Sequence, residues 1–137
     1  MKKIYILISI ASLFLVACRF DKGDVPQPIA DCVDDTTIHL VNVSMGDNFF
    51  APVDLTVIVG DTIQWTNNGV APHTVTCNGS AGTVMPSGGT SFDSGIGTPI
   101  NAGETFSAVI AVPGNYTYIC AYHTGMTGTI VVKPRCQ

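Results

Sequence analysis

The sequence predicts an all-β protein whose short strands pack as a sandwich. Segments rich in Thr, Val, Ile and Tyr, several of them alternating between apolar and polar residues, recur between residues 36 and 133. Gly, Pro and Asn separate these segments, as turns require. No segment carries the 3.6-residue apolar period of a long amphipathic helix. Seven or so short strands in about 100 residues are typical of an antiparallel β-sandwich.

The individual strands follow from this pattern in chain order. Residues 36–43 read TTIHLVNV, and Gly60-Asp61 forms a turn between the next two β-rich runs. Residues 78–101, rich in Gly, Ser, Thr and Pro, predict a long loop with one short strand near residues 90–92. The predicted strands are residues 36–43, 55–59, 62–66, 73–77, 105–112, 116–120 and 127–133. The candidate core aromatics are Trp65, Phe106, Tyr116 and Tyr118.

The first 17 residues have the three parts of a secretory signal peptide. Lys2 and Lys3 form a basic start, residues 4–16 are apolar apart from two serines, and Ala17 is a small residue at the cleavage point. The apolar run is shorter than the roughly 20 residues of a membrane-spanning helix. We therefore expect residues 1–17 to direct export and then to be removed.

Residues 15–18, Leu-Val-Ala-Cys, resemble the lipobox of bacterial lipoproteins, in which the cysteine becomes the acylated N-terminus. The resemblance implies a lipid anchor on Cys18, with the protein on the periplasmic or cell-surface side of a bacterial membrane. The alternative is ordinary cleavage after Ala17, which leaves Cys18 as a free thiol. Residues 18–35 are polar, broken by prolines and without apolar periodicity, so we expect a flexible tether to a domain at residues 36–137.

The charge balance excludes one class of function. The chain has a formal net charge of −4, which becomes more negative when Lys2 and Lys3 are removed with the signal peptide. Nucleic-acid binding needs clustered Lys and Arg, so nucleic acid is not expected as a partner. A negative surface instead favours encounters with basic proteins.

Four side chains with metal-binding atoms stand in a pattern typical of copper. Cys120, His123 and Met126 follow one another at three-residue steps between two predicted strands, and His73 opens a strand directly after Pro72. Two imidazoles, one thiolate and one weak thioether suit an ion that cycles between Cu(I) and Cu(II). Zinc would more often have a further cysteine or histidine in place of the methionine. The sequence therefore predicts one copper ion bound by these four residues.

Residues 36–133 resemble the plastocyanin-like cupredoxins. The likeness rests on FAP at residues 50–52 with LTVIVGDTIQWTNNG after it, on PHTV at residues 72–75, and on PGNYTYICAYHTGMTGTIVV from residue 113. The C-x₂-H-x₂-M spacing is more similar to amicyanin than to plastocyanin. The resemblance implies a Greek-key β-sandwich (the cupredoxin fold), one type 1 (blue) copper and single-electron transfer, without chemical conversion of a substrate.

The family also implies how partners meet the protein. His123 would expose an imidazole edge to a transient redox donor and acceptor, and the protein itself would be a monomer. Apolar residues around that edge would form a docking patch suited to brief encounters. The candidates for this patch are Met45, Phe49, Ala71, Pro72 and Met126.

The sequence departs from the family at two positions near the ligands. Ile119 stands where plastocyanins have a tyrosine on a remote acidic face, which argues against electron entry by that side. Thr74 stands where many members have an asparagine that ties the two ligand loops together. We therefore expect the surroundings of the ligands to be built differently here.

Three of the five cysteines remain once Cys18 is assigned to lipid and Cys120 to copper. In the family topology the first strand starts, and the last strand ends, at the pole away from the metal. Cys32 and Cys136 would both lie there, so we expect a Cys32–Cys136 disulfide. The alternatives are a bridge from Cys77 to either of them, or a buried and free Cys77.

An exported, lipid-anchored electron shuttle is thus the leading function. The alternative is a copper-binding or delivery module that uses the same ligands without a redox role. Multicopper oxidases and copper nitrite reductases need further copper centres held by additional histidines, and this chain has only three histidines. We therefore predict no enzymatic activity.

Overall fold

The computed structural model describes residues 31–136, and these contain nine strands and no helix. The predicted signal peptide at residues 1–17, the predicted acylation residue Cys18, residues 19–30 of the predicted tether and Gln137 lie outside the described residues. Between residues 31 and 136 there is no helix with the length and apolarity needed to span a membrane. The strands are β1 (Leu40–Gly46), β2 (Phe49–Ala51), β3 (Asp54–Ile58), β4 (Thr62–Asn67), β5 (Thr76–Cys77), β6 (Phe92–Asp93), β7 (Thr105–Val109), β8 (Gly114–Ile119) and β9 (Thr127–Lys133).

The strands form the two sheets of a sandwich, which confirms the all-β fold class. One sheet has the order β2-β1-β4-β7 and the other has the order β3-β9-β8-β5-β6. The expectation of purely antiparallel sheets is wrong, since β1 runs parallel to β4 and β3 runs parallel to β9. The chain crosses to the second sheet between β2 and β3 and returns before β4. Strands that are neighbours in space are therefore separated in sequence, as in Greek-key arrangements.

The predicted strand positions hold best where apolar and polar residues alternate. The last strand has the predicted bounds, Thr127–Lys133. The first strand starts at Leu40, not at residue 36, because residues 36–39 are held mainly by side-chain contacts, with a single backbone bond to the sheet at His39. The strand expected at residues 73–77 is reduced to Thr76–Cys77.

The core is an aromatic cluster that joins the two sheets. Trp65 on β4 and Tyr118 on β8 are both fully buried, with ring centroids 5.5 Å apart and nearly perpendicular planes. The ring centroid of Phe50 lies 4.6 Å from that of Tyr118, and the ring centroid of Phe92 lies 5.6 Å from that of Trp65. Such aromatic pairs add about 0.5–1.5 kcal/mol each beyond the burial of their area. Because Tyr118 precedes Cys120 by two residues, the cluster braces the strand that delivers this cysteine.

Burial also fixes the ionisation state of the core tyrosine. It raises the pKa of Tyr118 to about 12, so its hydroxyl stays neutral at physiological pH. Tyr116 is likewise buried, on the same face of β8, as expected from their spacing. Phe106 is only half-buried and packs against Trp65 at a centroid distance of 5.9 Å.

Cys32 and Cys136 form the expected disulfide at the end of the sandwich away from the ligand loops. A parallel bridge between Val33 and Arg135 lies beside it. Of the alternatives, the structure selects a free Cys77, whose thiol is buried and donates to the carbonyl of Val84 at 3.4 Å. The disulfide thus fastens the segment before β1 to the segment after β9.

Replacement of Gly128 by alanine should destabilise the fold, because the added Cβ would lie 2.4 Å from both Cζ and Oη of Tyr118. Overpacking of this kind costs about 1–3 kcal/mol or more. Urea unfolding of the variant measures the loss. Gly97→Ala is the matched control, since nothing lies within 4 Å of its added Cβ, and it should leave the unfolding free energy within about 1 kcal/mol of the parent. Equal stabilities for the two variants would contradict the role assigned to Gly128.

Candidate metal centre

One ligand loop is the short connection between β8 and β9. Cys120 follows the last residue of β8, and Met126 precedes the first residue of β9. The amide of Cys120 donates to the carbonyl of Met126 at 2.9 Å, and the amide of Met126 donates to the carbonyl of His123 at 3.1 Å. These two bonds close the loop, so the three-residue spacing in the sequence becomes a tight turn with the donor side chains on one side.

The other ligand loop, residues 68–75, connects β4 to β5 and carries His73. The amide of His73 donates to the carbonyl of Ile100 at 3.1 Å, and the amide of Ile100 returns a bond of 2.9 Å to the carbonyl of His73. Asn67, fully buried, donates from Nδ2 to the carbonyls of Ala71 at 2.7 Å and Ile100 at 2.9 Å. The backbone of His73 is therefore fixed from both sides.

The two loops bring three of the predicted ligands together. Ligand atoms of His73, Cys120 and His123 all lie within 4.8 Å of one another. Sγ of Cys120 is 3.7 Å from Nδ1 of His73 and 3.4 Å from Nδ1 of His123. The fourth, Met126, is buried and lines the same cavity of about 280 Å³ as Cys120 and His123.

These separations fit a metal ion placed between the three donors. Bond lengths of about 2.0 Å to imidazole and about 2.3 Å to thiolate, in a trigonal plane, put nitrogen and sulfur about 3.7 Å apart. The observed 3.4 and 3.7 Å are close to that separation. The mixed set of two imidazoles, one thiolate and one thioether is the set that type 1 copper takes.

His73 is held in the form that can bind a metal. Burial lowers the pKa of His73, and the neighbouring His123 lowers it further, against a smaller opposite effect of Asp47. The imidazole therefore stays neutral near pH 7, with a free lone pair on one ring nitrogen. His123 is only half-buried, so it remains partly accessible to solvent.

Thr74 joins the two ligand loops directly, which answers the question raised by the missing asparagine. Its amide donates to Sγ of Cys120 at 3.4 Å, and its hydroxyl oxygen accepts from the amide of Ala121 at 2.7 Å. Thr74 is fully buried, so its bond to the ligand sulfur is shielded from water. A threonine in this place supplies both the link between the loops and a donor to the ligand sulfur.

Asp47 and Asn67 support the site, and sequence reasoning missed both. Oδ1 of Asp47 accepts from the amides of Val70 at 2.7 Å and Ala71 at 3.1 Å. Bonds from these two amides lower the pKa of Asp47, so it remains a carboxylate. An aspartate after a glycine and an asparagine before Asn-Gly are common turn-forming positions. That pattern could have identified both residues, though not which loop they hold.

The surface around His123 differs in part from the expected docking patch. Met45 and Met126 are buried, so these two assignments are wrong, whereas Phe49 and Pro72 are exposed and Ala71 is half-buried. The exposed apolar residues on the flanking loops are Val70 (85% exposed), Ile96 (66%) and Tyr122 (39%). Tyr122 donates its hydroxyl to the carbonyl of Ile96, which links two of the three loops. We call Phe49, Val70, Pro72, Ile96 and Tyr122 the apolar rim.

In the metal-free protein, the unfolding free energy should fall as the pH drops below 6.5, the ordinary pKa of histidine. His73 has a lowered pKa in the folded state, so the unfolded chain takes up a proton first. Stability that is present above pH 6.5 is then lost as the pH falls toward the folded-state value. Urea unfolding at about pH 7.5 and about pH 5.5 measures this difference.

The control for this pH effect is His73→Gln, which removes the titrating group. Its unfolding free energy should change less between the two pH values. Asp47 and Asp61 also have lowered pKa values, but their effect belongs below their ordinary value of 3.8 and so outside this window. The same pH dependence in both proteins would show that His73 is not responsible.

Comparison with known proteins identifies the family. Residues 38–133 match the profile of the copper binding proteins of the plastocyanin/azurin family. Plastocyanin from Scenedesmus fuscus is 33% identical over 102 residues, a match that covers 72% of this chain and all of the relative.

Solved structures give the same result. Amicyanin, in the reduced state of a point mutant, matches with a TM-score of 0.55 and 26% identity over 68% of this chain and 81% of its own. Oxidized plastocyanin from Dryopteris crassirhizoma matches with a TM-score of 0.56 and 27% identity over 68% of this chain and 100% of its own. A copper-containing nitrite reductase from Thermus scotoductus SA-01 has a TM-score of 0.58 and 27% identity, over 77% of this chain but only 25% of the enzyme. With a site built for one type 1 copper, the chain belongs to the plastocyanin/azurin family of copper-binding proteins, as a blue copper electron-transfer protein.

Proposed function

We propose that this protein shuttles single electrons outside the cytoplasm while a lipid on Cys18 anchors it to a bacterial membrane. His73, Cys120, His123 and Met126 would hold the copper ion, with two imidazoles, one thiolate and one thioether as the donors. The observation that carries the proposal is the convergence of three donor atoms within 4.8 Å, on two pinned loops, beside a solvent-exposed apolar rim. The signal peptide and lipobox motif support export and anchoring.

The ligand loops suit repeated electron exchange because they resist rearrangement. Bound copper supplies a one-electron couple between Cu(I) and Cu(II). Asn67, Thr74 and the backbone pair of His73 with Ile100 hold the donor atoms in place before the metal arrives. Donors that keep one arrangement in both oxidation states spare the protein a structural change at each transfer.

His123 is the exit and entry point for electrons in this proposal. His123 is only half-buried and directly follows Tyr122 of the apolar rim, so a partner that covers the rim comes close to a ligand. A small apolar contact area favours the short-lived complexes that electron carriers form. A redox donor and a redox acceptor therefore take turns on the same surface, and the protein acts as a monomer.

The copper-delivery alternative uses the same ligands but predicts a different spectrum. A delivery module binds Cu(I) and stays colourless, whereas a thiolate bound to Cu(II) in a trigonal site gives an intense visible band. An enzyme would convert a substrate at further copper centres, and the described residues contain one cluster of potential metal ligands. We therefore propose no substrate for this chain.

The experiment is to load the protein with Cu(II), record its optical and EPR spectra, and cycle it with a one-electron reductant. A strong visible band that bleaches and returns with one electron per chain supports the shuttle. A colourless protein that retains only Cu(I) overturns it in favour of delivery.

A second measurement tests the docking surface by stopped-flow electron exchange with a small redox protein. Val70→Asp places a charge on the apolar rim, and we expect the bimolecular rate to fall several-fold. Val84→Asp is the matched control, because Val84 is also an exposed valine but pairs with Thr117 on the flank of the sandwich. Equal rates for both variants would rule out the rim as the docking surface.

Thr74→Val should destabilise the protein by about 1–3 kcal/mol, because the amide of Ala121 loses its buried acceptor. Valine keeps the shape of threonine, so the effect isolates the hydroxyl. We also expect the reduction potential to fall, since a looser loop weakens the bond from the Thr74 amide to the ligand sulfur. Denaturant unfolding and voltammetry measure the two effects. Thr74→Ser should restore both, and a Thr74→Val protein with unchanged potential would limit Thr74 to a structural role.

A further inference from the structure

The segment before β1 is attached to the rest of the domain mainly through residues 133–136, at the end of β9 and just after it. The amide of Val33 donates to the carbonyl of Pro134 at 2.9 Å, and the amide of Cys136 donates to the carbonyl of Val33 at 3.0 Å. The Cys32–Cys136 disulfide lies within this short pairing. Lys133 forms an exposed ion pair with Asp31 just ahead of it.

The side chain of Arg135 holds the rest of this segment. Its guanidinium donates to the backbone carbonyls of Asp35, of Thr37 at 2.7 Å and of Val59 at 2.8 Å. It also contacts the buried carboxylate of Asp61 at 3.2 Å. Arg135 thus connects the segment before β1 to the turn between β3 and β4.

Apolar burial contributes little to this attachment. Residues 36–39 are all exposed, including the apolar Ile38, whose exposed fraction is 59%. Only at His39 does the segment become part of the sheet, since the amide of Thr62 donates to its carbonyl at 2.8 Å. Without the disulfide, residues 32–38 would depend on Arg135 and a single backbone bridge.

This fastening lies at the pole opposite the copper site. β9 begins directly after Met126 and runs away from the ligand loop toward Cys136. At about 3.3 Å per residue, the distance along this extended stretch is about 30 Å. Any chain that leaves the body before Cys32 therefore leaves it far from His123.

We propose that the Cys32–Cys136 disulfide, with Arg135, is a stop on the membrane tether that sets its point of attachment at the pole away from the copper site and limits the reach of that site. This inference rests on the proposed lipid anchor at Cys18. With the disulfide closed, the chain from Cys18 to Cys32 spans at most about 50 Å. With the disulfide absent, the fixed point moves to His39, and the tether gains up to about 25 Å.

The consequence concerns the partners. The tether joins the domain at the pole away from the rim, and the closed disulfide keeps the rim within about 80 Å of the membrane surface, which is the tether plus the length of the domain. Partners that exchange electrons with the anchored protein therefore present their docking surface within this layer.

The first test asks whether the disulfide holds residues 32–38. Both proteins are loaded with Cu(II) and treated with a protease that cleaves before aspartate. The doubly substituted Cys32→Ser, Cys136→Ser protein should be cut before Asp34 and Asp35 at least about tenfold faster than the parent, because cleavage needs a locally released backbone. The copper band reports that each protein is folded. Lys133→Met removes only the exposed ion pair and should be cut like the parent. Equal rates in the parent and the double variant overturn the proposal.

The second test measures reach with the full lipidated chain on a supported bilayer, by neutron reflectometry. The protein layer of the double variant should extend further from the bilayer, by up to about 25 Å. Deletion of residues 22–28 in the double variant should return the layer to the parent thickness. An unchanged layer in the double variant overturns the proposal. If no form binds the bilayer, the anchor at Cys18 is wrong, whereas the protease result still decides whether the disulfide holds the segment.

Discussion

Replacement of Cys120 by serine should abolish the intense visible band of the Cu(II) protein and its electron exchange. Sγ of Cys120 lies 3.7 Å from Nδ1 of His73 and 3.4 Å from Nδ1 of His123. The band requires a thiolate bound to copper, and a serine hydroxyl stays protonated and is a harder, weaker ligand for Cu(I). Loss of a neighbour of a ligand already costs about 10–100-fold in metal affinity, so loss of this ligand should cost at least about 100-fold.

The spectra of copper-loaded parent and variant, with a Cu(I) competition titration, measure both effects. Cys77→Ser is the matched control, because Cys77 is the other buried free thiol in the described part of the chain. Burial raises the pKa of the Cys77 thiol, and its Sγ donates to a carbonyl away from the ligand loops. The control should keep its band. A band that survives in Cys120→Ser would refute the thiolate assignment.

The ligand set could be predicted because it is written in short spacings. Cys120, His123 and Met126 fall within one turn, and a turn between two strands needs no knowledge of the fold to place them together. His73 is different, because it lies on the other ligand loop, between β4 and β5. The chemistry of a set of two imidazoles, one thiolate and one thioether connected it to the other three, and the family resemblance supported this, whereas its backbone partner Ile100 carries no chemical signal.

The supporting residues were harder to predict because their roles depend on pairing over long sequence distances. The hydroxyl of Thr74 on one ligand loop accepts from the amide of Ala121 on the other. The carboxylate of Asp47, in the connection between β1 and β2, accepts from the amide of Val70. A sequence shows that such residues favour turns, but the partner of each bond depends on how the sheets cross. The parallel pairing of β1 with β4 depends on the same crossing.

The errors in the docking patch have the same origin. Met45 and Met126 are apolar residues near the ligand loops, and such residues can point either into the core or toward a partner. Met45 faces the core because alternate residues of β1 do so, with Val43 and Met45 both buried. The side chain of Met126 is buried, like those of His73 and Cys120. Alternation could have placed Met45 correctly had the first strand been predicted to extend beyond residue 43.

The disulfide was predicted from topology, and its effect on stability should be large. Cys32 and Cys136 are separated by 104 residues, so the bridge closes almost the whole domain into one loop. The chain-entropy estimate for a loop of this length is about 4.7 kcal/mol, a large part of the 5–15 kcal/mol that stabilises a typical domain. We therefore expect the Cys32→Ser, Cys136→Ser protein to lose about 4–5 kcal/mol of unfolding free energy and about 20 °C in Tm.

Denaturant unfolding of the copper-free protein measures this loss, and the parent treated with an excess of a dithiol should match the double variant. The copper band of the folded double variant should equal that of the parent, since the bridge lies about 30 Å along β9 from the ligand loop. This combination separates the two poles of the molecule. A large loss of stability with an unchanged spectrum means that the disulfide end of the sandwich stabilises the fold, whereas the end with the ligand loops determines copper binding. A loss below about 1 kcal/mol would instead mean that the Val33 bridge and Arg135 suffice to hold the termini together.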